Sequence, residues 1–168
     1  MDPQDDGLEI FAEVDGVEVI QRTPIFAKLG YEETARLARI MHIERFSKGK
    51  VVVEQDSLGD ALYIVREGKV AIYRQDSAGD RELLNHLGPG ELFGEMSLVD
   101  DLLVSADVEV ASESAELVVI PRGEFTQLLA SDAGLAAKIY KSFCRNLSDR
   151  LRKANARLAE QEHELRRH

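Results

Sequence analysis

The sequence predicts a mainly β, α+β fold: a two-sheet jelly roll or closed roll, flanked by helices and continued by one long C-terminal helix. Three observations predict it. Gly49, Gly59, Gly68, Gly79 and Gly88 recur at intervals of nine to eleven residues, the spacing of short strands joined by turns. The segments between them are short and rich in β-branched, aromatic or other large apolar side chains. From Ser131 onward the apolar residues instead recur at helical spacing.

In chain order, residues 1–23 form an acidic N-terminal segment with seven acids and no base in its first twenty residues. It reads as a mobile arm or a strand added late. YEETARLARIM (31–41) places Ala35, Leu37, Ala38 and Met41 at roughly helical spacing. VVVEQ (51–55), ALYIVR (61–66), KVAIYRQ (69–75) and RELLNHL (81–87) are strand candidates, joined into hairpins by the turns SLGD, EGK and SAGD. VSADVEV (104–110) and AELVVI (115–120) follow, giving at least six short strands with no long helix between them. Such a set closes into a roll. Pro121 followed by EFTQLLA starts a short helix. The expected units are the acidic segment 1–23, the roll 24–130 and the long helix 131–168.

Within that last helix, capped by Ser131 or Asp132, Leu135, Ile139, Phe143 and Leu147 recur every four residues. Cys144, Leu147, Leu151, Ala154, Leu158, Gln161 and Leu165 then alternate steps of three and four, a short heptad seam with Leu151, Leu158 and Leu165 at its a positions. These leucines lie too far along the helix to cover a roll that ends near residue 130, so a parallel homodimer is expected. Ala154 and Gln161 bury little, and a lone amphipathic helix folded back on its own roll is the competing arrangement.

Composition excludes several function classes. A formal net charge of -10 repels nucleic acid and anionic lipid. No apolar run reaches the length of a membrane span, and the acidic start MDPQDDGLEI is no signal peptide. The single Cys144 cannot form an internal disulfide and fits a reducing cytoplasm, where it reads as a small hydrophobe of the seam. His42, His86, His163 and His168 fall in four different elements without a second ligand at metal spacing, so no metal is expected. Neither a nucleophile elbow nor a Walker loop is present, and no catalytic residue is assigned.

One stretch does point to a site. In GPGELFGEMSL a glycine and proline turn leads into FGEMSL, long enough for only a turn or two of helix. Gly94 permits close approach of a ligand to the backbone. Glu95 can accept hydrogen bonds from a pair of sugar hydroxyls. Downstream, Val104, Ala106, Val108 and Val110 alternate with Ser105, Asp107 and Glu109, which turns the Val104 side chain toward the pocket or core.

GDALYIVREGKVAIYRQDSAGDRELLNHLGPGELFGEMSLVDD, continued by SADVEV and ELVVIPRGEFTQLL, closely resembles the cyclic nucleotide-binding domain family of catabolite-activator-type regulators, protein kinase A regulatory subunits and nucleotide-gated channels. The resemblance covers about residues 24–150. It implies an eight-stranded β-roll flanked by helices, with a phosphate-binding cassette between two strands and a long C-terminal helix. By that resemblance the cassette positions are Phe93, Gly94, Glu95, Met96, Ser97, Val104, Ser105 and Ala106. Gly94 and the adjacent amides would meet the cyclic phosphate, and Glu95 would hold the ribose 2′-hydroxyl.

Val104 stands where the family has its phosphate-binding arginine. Loss of one partner of a desolvated charge pair costs about 2–5 kcal/mol, or roughly 30- to 4,000-fold in affinity. Arg66, Arg74, Arg81 and Arg150 are the candidates to replace that cation. Three readings follow. A non-enzymatic regulatory module would signal or dock through its dimer helix, at Leu147, Leu151, Leu158 and Leu165, with weak or absent binding of cAMP or cGMP and a protein partner or effector chain. A small-ligand sensor would keep cyclic nucleotide binding through a substitute for the arginine. A DNA-binding regulator would need a helix-turn-helix beyond the long helix, which these residues do not contain. The first is the expectation, with no resident cofactor.

Overall fold

The short apolar segments that predict the roll form strands with apolar groups on both faces. The computed structural model describes residues 17–167. After a helical segment at 17–22 and a single 3-10 turn, Pro24–Phe26, comes α1 (Tyr31–Ala38). Eight strands follow: β1 (His42–Ser47), β2 (Val51–Val53), β3 (Ala61–Glu67), β4 (Val70–Gln75), β5 (Arg81–Leu87), β6 (Leu92–Phe93), β7 (Asp107–Val110) and β8 (Ser114–Pro121). The short α2 (Glu95–Asp100) separates β6 from β7, and α3 (Arg122–Ser131) and α4 (Ala133–Leu165) close the chain. The strands form two antiparallel four-stranded sheets, ordered β1-β8-β3-β6 and β2-β7-β4-β5.

Strands β3 and β8 show why the first sheet reads as nearly continuous apolar sequence. On β3, Ala61, Tyr63 and Val65 point into the roll, whereas Leu62 and Ile64 point out under the helices. On β8, Ala115, Leu117 and Val119 face inward, and Val118 and Ile120 face the helices. Two cores result, one between the sheets and one between the first sheet and the helical layer. The second includes Leu135, Ile139 and Phe143 of α4, so the first third of the long helix shares a core with β3 and β8.

Several local expectations are corrected. The acidic segment's first sixteen residues lie outside the described residues, but its end at 17–22 is helical and Ile20 is fully buried, neither arm nor strand. α1 stops at Ala38, short of Met41, because the chain must turn into β1. Regular pairing of the 104–110 segment begins only at Asp107. Val104 instead donates its N–H to the Ser57 carbonyl (2.9 Å), and its own carbonyl accepts from the Asp56 N–H (2.8 Å). Cys144 is exposed on the single chain.

α4 is capped by Asp132, whose side chain accepts from the Leu135 N–H, the relation expected of an aspartate there. Arg36 of α1 pairs with the same carboxylate (2.6 Å), and Lys138 of α4 reaches back to Glu33 (2.8 Å). These pairs tie α1 to the start of the long helix.

Candidate functional site

All eight cassette positions line one cavity of about 170 Å³. Phe93 reaches it from β6, where it is buried and stacked on Tyr63 with ring centroids 4.9 Å apart. Gly94 follows as the N-cap of α2 with φ 86°. That left-handed backbone favours glycine, and a Cβ here would lie 2.6 Å from the Ala61 carbonyl oxygen. The turn therefore requires glycine twice over, for conformation and for space.

Glu95 and Ser97 of α2 are buried, while Met96 between them is half exposed. The Ser97 hydroxyl donates to the Gly94 carbonyl (3.2 Å), which closes the first turn of α2 on itself. Gly59 packs so tightly against Ser97 that a Cβ on it would overlap the hydroxyl. Val104 is half-buried and Ala106 buried; Ser105, between them, is exposed. The remaining walls are Val53, Ile72 and Val108 from the second sheet, and Asp100, Leu102 and Leu103 from the cassette loop.

Glu95 is the electrostatic centre of this site. It is 1% exposed, and Arg150 of α4 donates from Nη1 to its Oε1. Burial pushes the Glu95 carboxyl above the ordinary carboxylate range, and the Arg150 charge opposes that shift without reversing it. Arg150 is the one cation lining the cavity among the described residues, and it comes from 55 positions down the chain.

The other three arginine candidates lie elsewhere. Arg66 pairs with Glu116 (3.1 Å). Arg81 lies over the Tyr73 ring (3.9 Å) and pairs with Glu109 (2.8 Å). Arg74 lines a separate cavity at the β4–β5 hairpin.

The cassette loop is held by its own acids. Asp100 accepts from the Leu102 N–H (3.0 Å), and Asp101, itself left-handed with φ 56°, pairs with Arg122 at the start of α3. Arg122 also donates to the Gly59 carbonyl (3.2 Å). Asp100 and Asp101 are thus the fastening of the loop, a role their adjacency in sequence does not disclose. Ile72 and Val108 were open to strand alternation as cavity residues. Leu102 and Leu103 gave no periodic signal.

Among the described residues, no group of three or more histidines, cysteines or acids is placed to hold a metal ion, and no helix is long and apolar enough to cross a membrane.

Comparison with known proteins agrees with this architecture. A family model described as the cyclic nucleotide-binding domain matches residues 43–132. The cyclic AMP receptor protein of Thermus thermophilus is 39% identical over 107 residues, covering 64% of this chain and 49% of that protein. The crystal structure of the Thermus thermophilus catabolite activator protein is 33% identical with a TM-score of 0.67, covering 80% of this chain and 61% of the other. The regulatory domain of Toxoplasma gondii protein kinase A, co-crystallised with cAMP, superposes with a TM-score of 0.73 at 20% identity, over 83% of this chain and 51% of the other. The chain thus spans about half of the curated relative's length.

Proposed function

The chain belongs to the cyclic nucleotide-binding domain family, and from that premise we propose that it is a non-enzymatic regulatory module with weak or absent binding of cAMP and cGMP. Its output passes through α4, as a parallel homodimer that presents the module to a protein partner or effector chain. A reducing cytoplasm suits its single cysteine.

The observation that carries this reading is the charge arrangement of the cavity. By family resemblance Val104 stands at the position of the phosphate-binding arginine, and its aliphatic side chain is part of the wall. Arg150, the one lining cation among the described residues, is engaged by Glu95. A cyclic phosphate entering this cavity would shed water without gaining a countercharge, which costs about 2–5 kcal/mol relative to a paired anion.

Support for the dimer comes from the free part of α4. Leu151, Leu158 and Leu165 are 62%, 59% and 79% exposed on the single chain. Beyond Phe143 the helix runs about 33 Å at 1.5 Å per residue, farther than its own roll reaches. In a parallel pair Arg157 at g faces Glu162 at e of the other copy, an attractive pairing made twice by symmetry.

The test is thermal unfolding with millimolar cAMP or cGMP. A ligand present at a hundred times its Kd stabilises a fold by about 2.7 kcal/mol and raises Tm by several degrees. The wild type is expected to show no shift, and Val104→Arg is expected to gain one. A clear shift in the wild type would refute the proposal. A folded Val104→Arg variant that ignores both nucleotides would show that Val104 alone does not account for the loss.

A further inference from the structure

The polar side chains that line the cavity are bonded to one another or to the backbone, and what they leave to a ligand is apolar surface. We infer that the cavity is a binding site for a small uncharged ring compound, of benzene to indole size, held by its apolar walls. This rests on the preceding reading that Val104 leaves a cyclic phosphate without a countercharge, and adds what the same space takes.

The polar groups decide what is turned away. Among the described residues, the one buried side-chain oxygen or nitrogen without a hydrogen-bond partner is Oδ1 of Asn146, which does not line the cavity. Glu95 is held by Arg150, the Ser97 hydroxyl donates to the Gly94 carbonyl (3.2 Å), and Asp100 accepts from the Leu102 N–H (3.0 Å). The Val104 backbone is paired through both its N–H and its carbonyl, with Ser57 and Asp56. A polar ligand would give up its water for groups that are already bonded, and an anion would compete with Glu95 for Arg150. An uncharged apolar molecule meets neither penalty.

Wall and size decide what is admitted. Val53, Ile72, Phe93, Ala106 and Val108 are buried apolar groups of the lining. Val104 adds an aliphatic side chain where the family resemblance expects a cation. Met96, Leu102 and Leu103 line the same space and are exposed, so apolar side chains also stand where the cavity meets solvent. A ring seated among them takes their surface, as well as its own, out of water. The volume is about 170 Å³. A cavity of roughly 150 Å³ walled by Leu, Ile and Phe already admits benzene, so this one suits a single ring or an indole-sized pair.

Isothermal titration calorimetry of the full chain tests this with toluene and indole against benzoate, cAMP and cGMP, with amide NMR spectra recorded alongside to locate the site. Toluene or indole is expected to bind roughly tenfold or more tightly than benzoate, which has toluene's ring but carries a charge. Its binding should show the negative heat-capacity change of apolar burial, with shifted resonances centred on residues 93–97 and 104–108. Ala106→Leu, which fills the cavity from a buried position, is expected to abolish binding, and Val104→Phe tests the same point if Ala106→Leu does not fold. If neither toluene nor indole binds at millimolar concentration, the inference fails while the reading of impaired cyclic nucleotide binding stands. Benzoate that binds as tightly as toluene overturns the inference, because the cavity then accepts an anion. Binding that survives the filling variants, or whose shifts fall on the exposed leucines of α4, lies outside the cavity and overturns it too. Tight binding of cAMP or cGMP overturns both.

Discussion

Gly94 shows how much one position can carry at the mouth of the cavity. Its φ of 86° excludes most side chains on conformational grounds, and the Ala61 carbonyl excludes them on steric grounds. Gly94→Ala is expected to lower stability by about 2 kcal/mol or more, read as a lower midpoint in urea with an unchanged slope. A variant as stable as the wild type would mean that the backbone of the turn relaxes freely. The need for a glycine before Glu95 is visible in FGEMSL. That Ala61, thirty-three residues earlier, makes the need absolute is not, because it arises from β3 and β6 lying side by side.

At the scale of elements, α4 has two halves with different surroundings. Leu135, Ile139 and Phe143 recur every fourth residue and bury themselves on the first sheet, while from Leu151 onward the helix exposes its leucines. Asp132 fixes where the helix begins. The bond from the Leu135 N–H, reinforced by Arg36, holds its carboxyl below the usual value of 3.8. A depressed acid contributes stability that is present above its unfolded value and disappears as pH falls through the folded one. Asp132→Ala should therefore melt earlier than the wild type at neutral pH, and the difference should shrink once the pH drops below 3.8. A gap that stays constant to lower pH would show that the charge of Asp132 plays no part.

For the whole molecule, the question is what covers the far half of α4. Leu151→Asp combined with Leu158→Asp should halve the mass in sedimentation and leave the roll folded, because neither leucine is buried on its own chain. An unchanged mass would count against the seam. Cys144 supplies an independent check, since an a position of a parallel, in-register pair faces its own copy. Mild oxidation should then link two chains through Cys144, and an antiparallel pair would leave it reduced.

Local pattern and distant contact divided the determination of this protein between them. Glycine spacing and short runs rich in β-branched, aromatic and large apolar residues mark six of the strands, and apolar residues at every fourth position mark α4, because each signal is local to one element. β1 escaped notice because HIERFS lies at a sheet edge with charged side chains outward, and β6 because two residues are too few to show a period. The two segments 93–97 and 104–106 that line the cavity stood out in the sequence through a resemblance to the family's cassette. What only the tertiary structure decided were pairings between remote residues: Arg150 with Glu95, Arg122 with Asp101, and the Val104 backbone with Asp56 and Ser57. Such contacts follow from how sheets and helices pack, and no repeat in the chain encodes which charge will meet which.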